Sequence, residues 1–441
     1  MSELRRELGP VHATGIVIGA IVGVGIFFTP AKVAAIAGSA AGAIGLWVLG
    51  GFIALCGALS MAEVGARFPE SGGELVALRR LWGRLPSFLY GWSLIGAIQT
   101  GVLALIVLFG ATNLAKALGQ DWSTNEVRAA ATGMIVLLAG VNLLGVKPGA
   151  WVQTTTSAVK VLLLLLLAAL GAWALTRPES ARAANPLPIA ASSVPWLAGL
   201  AATLFSYGGF HQVTWVGGEV RRPERTLPLA IVIGVCIVIA TYLAAKLAYF
   251  ALLPAADVAA SKSVAADAVA TVLPTVGRAA ALALCISAFG VANAQVLTAP
   301  RAYLALAQEG LFPAALSRVD ARRGVPNLAI LLQASLAIVM LWAARADSLD
   351  QLVTGVVFVD WVFHMIAVAG LIRAGRAGGG YRMPLWPLPA FLFLIGAGAG
   401  LGATFFDPAV RQASLLGCAW IALGVLVFFT WQRLKIHQRP S

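Results

Sequence analysis

The sequence predicts an all-α polytopic membrane protein with 12 transmembrane helices, and three observations carry that prediction. Of 441 residues, 60% are hydrophobic and only 11% charged, with mean hydropathy +0.88, whereas soluble domains are roughly 25% charged. The apolar residues gather into runs near 13–36, 42–66, 87–115, 129–145, 150–175, 195–217, 228–253, 279–305, 327–343, 348–372, 385–406 and 412–432. Each is about long enough to cross ~30 Å of hydrocarbon as a helix, the fourth and ninth being short. Finally, glycine clusters interrupt the first and sixth runs: Gly19, Gly23 and Gly25 in one, Gly208 and Gly209 after Tyr207 in the other.

Between the runs the loops are short and basic on alternate sides. Of the 31 Lys and Arg, 20 fall toward the side of the N-terminus and nine toward the other, Lys32 and Arg301 near run ends among them, while Lys160 and Lys246 lie deep inside runs. The positive-inside rule then predicts both termini in the cytoplasm, in agreement with an even span count. Topology also accounts for the net charge of +13; without a basic tract, it gives no nucleic-acid partner. Residues 1–12 carry both signs and no small-residue cleavage site, so the first run reads as a retained helix. Cys56, Cys236, Cys285 and Cys418 all sit in apolar runs, where thiols pack as small hydrophobes; no disulfide, metal or cofactor framework is implied. The longest connections are 67–86, 177–194 and 254–278, and the Ala and Val content of the last predicts a lid-like surface helix.

The breaks carry the functional information. Backbone that leaves the helix inside hydrocarbon exposes polar groups at a cost of several kcal/mol each, roughly, so it persists only where a cavity or ligand satisfies them. Paired breaks at equivalent positions of two halves point to a carrier with a midplane site between inverted repeats. The predicted organisation is spans 1–5 (residues 1–176) as the first repeat, spans 6–10 (177–376) as the second, and spans 11 and 12 (377–441) as an appendage.

Several ordered motifs resemble the amino acid–polyamine–organocation (APC) superfamily, and within it the L-amino-acid transporter (LAT) branch of bacterial type. They are residues 19–27 (GAIVGVGIF), 62–74 (AEVGARFPESGGE), 205–210 (FSYGGF), 219–228 (EVRRPERTLP), 287–295 (SAFGVANAQ) and Asp360-Trp361. The resemblance implies a LeuT-type 5+5 inverted repeat with discontinuous helices 1 and 6. It implies a substrate site at Ile21, Val22, Gly23, Val24, Gly25, Ile26, Phe205, Ser206, Tyr207 and Gly208. N–H groups after the first break would hold an α-carboxylate at the positive end of a half-helix. Carbonyls near Phe205–Tyr207 would accept from the α-ammonium. Phe205 matches the family's gating aromatic, while Gly15 and Gly19 serve close helix packing or the site itself.

Lys160 matches the family's fifth-span lysine, a tethered cation where sodium-coupled relatives bind an ion. Its insertion into an apolar span costs ~2.5–3.5 kcal/mol, so it should face a polar interior, with carbonyls near Ile18–Gly19 and the Ser287 hydroxyl as partners; the alternative is snorkelling to an interface. Tyr242 is the matching seventh-span tyrosine, so Lys160, Tyr242 and Ser287 form the expected coupling group. Lys246 replaces the family's usual asparagine, either tuning selectivity or snorkelling. His211 either touches substrate, titrates or is structural, and Asp360 reads as structural.

The implied function is sodium-independent transport of neutral L-amino acids by alternating access, as an exchanger or a proton-coupled carrier. Neutral substrates follow from the lack of a carboxylate at either break. A cationic amino acid or polyamine carrier, with Asp360 or Glu63 as counter-charge, is the second reading. A membrane-embedded enzyme or sensor would need clustered acid–base groups, yet His12, His211, His364 and His437 are isolated in sequence. The partners implied are the amino-acid substrate and membrane lipid. Residues 110–130 hold no cysteine for a disulfide-linked heavy chain, leaving a monomer or weak homo-oligomer in the cytoplasmic (inner) membrane.

Overall fold

The computed structural model describes residues 4–23, 25–176, 196–261, 263–272, 277–343, 346–376 and 380–437. Val24 and the 177–194 connection lie outside them. The first run is split into α1 (Pro10–Ile21) and α2 (Gly25–Ala37). Pro10 opens α1 where its missing N–H has no helical partner to lose. The Ser39 side chain caps α3 (Ala40–Arg67) by accepting from the Gly42 N–H. Two left-handed glycines, Gly72 (φ +91°) and Gly83 (φ +96°), bracket α4 (Gly73–Trp82). Helix α5 (Arg84–Ser93) then runs through a π-helical turn, Leu94–Ile98, into α6 (Gln99–Leu118).

A capping box of Ser123 and Glu126 starts α7 (Thr124–Leu143). This cap places the start of α7 five residues before the fourth apolar run. Next come α8 (Val146–Leu175), then α9 (Ala198–Tyr207) with the 3-10 stretch Phe210–Glu219 as the two parts of the sixth run, and α10 (Pro223–Leu252). The predicted surface helix is instead two short ones, α11 (Ala255–Ala260) and α12 (Val264–Val272). Their buried Val258, Val264 and Ala268 pack toward α2 and α10. The chain ends with α13 (Gly277–Gln308), α14 (Asn327–Ala343), α15 (Ala346–Ala374), α16 (Leu388–Ala403) and α17 (Pro408–His437).

Among the described residues, seven helical segments are long and apolar enough to cross a bilayer: α3, α5 through α6, α7, α8, α10, α13 and Val410–Arg433 of α17. Helices α1, α14 and α16 are apolar but shorter. Large apolar side chains such as Val136, Leu137, Leu162, Leu166 and Leu416 are exposed, which suits a lipid-facing surface better than water.

Helix α1 packs between α8 and α10. A Cβ on Gly15 would lie 2.9 Å from Thr154 Oγ1, and one on Gly19 would collide with the Gln153 amide. Both glycines therefore serve close packing on α8. On the N-terminal side, the Glu7 and Leu8 N–H groups donate to the Glu219 carbonyl (2.9 Å each), and the Arg221 N–H donates to the Leu8 carbonyl (2.9 Å). This short bridge of Leu8 with Val220 ties the start of α1 to the end of the 3-10 stretch. Beneath it, the Glu219 carboxylate accepts Arg301 Nε and Nη2 at 3.0 and 3.1 Å, both side chains fully buried.

Candidate functional site

The first break is a rerouting of hydrogen bonds. The Val22 N–H still donates helically to Ile18 O (2.8 Å), but the Gly23 N–H turns to Ile21 O (2.7 Å). Gly19 O thereby loses its helical donor. Three buried side chains take over. Lys160 Nζ donates to Gly19 O (3.3 Å), and the Tyr242 hydroxyl donates to Ile21 O (3.0 Å). Lys246 Nζ donates to Ile26 O (3.2 Å), a carbonyl left without a helical partner because Pro30, four residues on, has no N–H.

The second break is set by two glycines with different backbones. Gly208 is extended (φ −67°, ψ 160°), and Gly209 is left-handed (φ +107°). A Cβ on Gly209 would also lie 2.8 Å from Ala20 O, so conformation and contact both demand glycine. The two breaks thus meet backbone to backbone. Nearby, the Thr29 and Ser206 hydroxyls share a 2.7 Å hydrogen bond, and the Phe205 ring lies over Gly25, where a Cβ would stand 3.3 Å from it.

A cavity of about 90 Å³ opens between the breaks. Of the sequence-predicted site residues, Ile21, Gly23, Gly25, Phe205, Ser206 and Gly208 line it, whereas Val22, Ile26 and Tyr207 do not. Val22 and Ile26 are buried in the core. The Tyr207 side chain turns toward α3, its hydroxyl donating to Trp47 O (3.2 Å) and its ring packing edge-on to Trp47. Gln99, Gln212, Gln295, Asp360 and Trp361 complete the polar part of the wall. Gln99 and Gln212 lie outside every family motif and Gln295 closes one of them without an expected role, although amides inside apolar runs are themselves a signal of polar lining. Gln99 follows directly on the π-helical turn, a distortion frequent at functional sites.

The lysine expectations resolve differently. Lys160 is 2% exposed and bound to Gly19 O, so it does not snorkel. A Cβ at Gly290 would come within 3.0 Å of its Cε, so this glycine makes room for its stem. Ser287 does not join it: the buried Ser287 Oγ makes no hydrogen bond. Lys246 is 1% exposed, with Nζ 4.3 Å from the Trp47 ring and 4.7 Å from that of Tyr249. Aromatic faces and one carbonyl replace its water. Glu63 is remote from the cavity wall, held by Arg67 and by the Met383 N–H (2.9 Å).

The histidines, isolated in sequence, are gathered by the fold. His364 Nδ1 lies 2.7 Å from Glu74 Oε1, and its Nε2 lies 3.3 Å from Asp360 Oδ2. The Tyr90 hydroxyl reaches both acids, at 3.2 Å to Glu74 and 3.0 Å to Asp360. His211, one turn beyond the second break, places its ring centroid 4.0 Å from that of His364, the two planes tilted by 50°. Donor atoms of Glu74, His211 and His364 lie within 4.8 Å of one another. The 2.7 Å contact is nevertheless a direct hydrogen bond, shorter than the roughly 3.3 Å between ligands of a tetrahedral zinc ion. The group is a hydrogen-bonded acid–base cluster.

Comparison with known proteins agrees with this geometry. Residues 8–430 match the family model described as amino acid permease. The serine/threonine exchanger SteT of Bacillus subtilis is 30% identical over 441 residues, covering 98% of both chains. The human b(0,+)-type amino acid transporter 1 is 28% identical over 378 residues, 84% of this chain and 76% of its own. The human large neutral amino acids transporter small subunit 2 is 30% identical over 379 residues, 84% and 70% respectively. With apolar helices throughout, two broken helices around a cavity and a family match over nearly the whole length, the chain belongs to the amino acid permease family of the APC superfamily and is a multi-pass membrane amino acid transporter.

Proposed function

We propose that the protein is a sodium-independent carrier of neutral L-amino acids that works by alternating access in the cytoplasmic membrane. The observation that carries this reading is the cavity walled by both helix breaks, with Gly23 and Gly25 on one side and Ser206 and Gly208 on the other. The first-turn N–H groups of α2 have no helical acceptors and form the positive end of a helix dipole, suited to an α-carboxylate. Carbonyls ending α9, from Ser206 and Tyr207, take the α-ammonium. Backbone then recognises what all amino acids share.

Side chains of the wall select the rest. Gln99 Oε1 and Gln295 Oε1 are buried and without a hydrogen bond, so a substrate hydroxyl or amide gains an acceptor there. The similarity to a chain named a serine/threonine exchanger supports the same class. Asp360 on the wall favours the second reading, a cationic or polyamine substrate, but its carboxylate already accepts from the Tyr90 hydroxyl and lies 3.3 Å from His364 Nε2. Twelve spans, inverted repeats at 1–176 and 177–376, an appendage at 377–441 and cytoplasmic termini belong to the same proposal, as does a monomer or weak homo-oligomer without a disulfide-linked heavy chain. Lys160 supplies the cation of a coupling ion, which removes the need for sodium.

Uptake of labelled L-serine into proteoliposomes, with sodium or choline outside, tests the reading. Equal uptake in both salts is expected. Competition by excess L-alanine but not by arginine or putrescine supports the neutral class, and the reverse pattern establishes the cationic one. Lys160→Ala should cripple uptake while leaving a monodisperse, folded protein, whereas strict sodium dependence of the wild type sinks the proposal.

A further inference from the structure

We infer that the buried cluster of Glu74, Asp360, His364 and His211 is a proton-binding site that couples transport to proton movement. This rests on the carrier reading above and assigns its driving ion. Four facts of geometry support it.

The cluster's charges do not balance. With Glu74 and Asp360 ionised and His364 charged between them, the group carries one uncompensated negative charge. Glu74 and His364 are almost wholly buried, and no Lys or Arg of the described residues is ion-paired with any of the four. A net charge buried in this way is costly unless it is neutralised. One more proton neutralises it.

The second fact is that there is a place for that proton. His211 is fully buried, and neither ring nitrogen has a hydrogen-bond partner. Its ring lies beside that of His364 from α15 and near Glu74 from α4, with the Asp360 carboxylate of α15 in electrostatic reach, while Phe210 and Trp215 pack against it in edge contacts. Tyr90, from α5, bridges the two acids. These groups share protons as one coupled site, so its titration belongs to the cluster and not to a single residue.

Third, the cluster has two ends. Asp360 lines the substrate cavity, with its side chain 17% exposed. Glu74 stands at the first turn of α4, on the side of the 3-10 stretch, whose Trp215 O accepts from the Gly72 N–H (2.9 Å). A proton enters from the cavity alongside substrate and leaves past Glu74 when that side opens, so both travel in the same direction.

The fourth fact supplies the link to movement. His211 belongs to the 3-10 stretch immediately after the Gly208–Gly209 break, whereas Glu74 and His364 belong to α4 and α15. Displacement of the 3-10 stretch separates His211 from the others. The proton affinity of the cluster then differs between conformations, and by linkage its protonation biases which conformation prevails.

The test uses purified full-length protein in proteoliposomes with labelled L-serine outside and a pH-sensitive dye inside, at external values between about pH 5.5 and 8.5, where histidine titrates. The expected result is lumenal acidification during uptake, with a rate that falls by up to about tenfold per pH unit on the alkaline side. His211→Asn and Glu74→Gln should flatten that profile and abolish acidification while retaining counterflow of labelled against unlabelled L-serine. Because the wild-type measurement needs no variant, misfolding of Glu74→Gln does not decide the matter. Uptake that is independent of pH and moves no proton overturns the inference and leaves the carrier reading intact. Failure of monodisperse wild type to take up either L-serine or L-alanine overturns both. Stoichiometric zinc in the purified protein, with uptake lost on chelation, would make the cluster a metal site instead.

Discussion

The Lys246 ammonium, 3.2 Å from the carbonyl oxygen of Ile26, stands where Pro30 cannot donate a helical hydrogen bond. A helix defect created at one end of the chain is thus repaired from another helix. Lys246→Met keeps the side chain's length but leaves that carbonyl buried and unpaired, which costs about 1–3 kcal/mol. Differential scanning fluorimetry in detergent should show a lowered melting temperature for the variant.

Gly209 and Gly25 line the same cavity region but differ in tolerance. Gly209→Ala places a Cβ against Ala20 O in a left-handed backbone and should abolish transport. At Gly25 the nearest atoms are the Ser206 hydroxyl at 3.2 Å and the edge of the Phe205 ring, and both can shift by a few tenths of an ångström. Gly25→Ala should therefore raise KM while sparing maximal uptake, and a comparison of initial-rate kinetics checks the contrast.

The Glu219–Arg301 pair is bidentate and fully buried. Removing one partner strands the other's charge, so Arg301→Met should cost about 3–5 kcal/mol. Arg301→Met combined with Glu219→Gln should be less damaging than Arg301→Met alone. Denaturation of the single and double variants would reveal that non-additivity.

Gln295→Leu removes an acceptor from the cavity wall without altering the breaks. Competition assays should show preference moving from L-serine toward L-leucine, by about tenfold for one lost hydrogen bond. Unchanged preference would remove Gln295 from the selectivity surface.

On the loop between α13 and α14, the Arg323 N–H donates to the Asp320 carboxylate (2.7 Å) and holds its carboxyl below the usual range, with the Arg322 N–H adding to the effect (2.9 Å). A depressed carboxyl contributes stability that is full above the unfolded-state value and lost as pH falls through the folded-state value. Hydrogen exchange at the Arg322 and Arg323 amides should accelerate, relative to their intrinsic rates, on acidification through the carboxylate range. In Asp320→Asn that relative acceleration should vanish.

The sequence exposes what is locally costly. Lys160 stands out because an ammonium in an apolar run has few places to go, and its partner Gly19 follows from the neighbouring break. The glycine clusters announce both interruptions for the same reason. Pro30 announces a freed carbonyl at Ile26 but not its donor, 220 residues away. The histidine cluster is hidden altogether, because His364 and Glu74 are 290 residues apart and neither stands in a metal or catalytic motif. The Lys160–Ser287 contact fails because matching a family position fixes the residue's place on a helix, not the bond its hydroxyl makes. The capping box at Ser123 moves the start of α7 outward because hydropathy marks hydrocarbon, while capping marks the helix end.

The three backbone bonds among Glu7, Leu8, Glu219 and Arg221 yoke two half-helices from opposite parts of the chain. Neither half can swing alone without tearing a ribbon of peptide links, so they turn as a single lever whose fulcrum is the pair of broken backbones. Under the alternating access proposed above, a carrier geared in this way would not leave one jaw ajar while the other shuts, and leakage past a half-closed mouth would be suppressed by mechanics before any side chain acts.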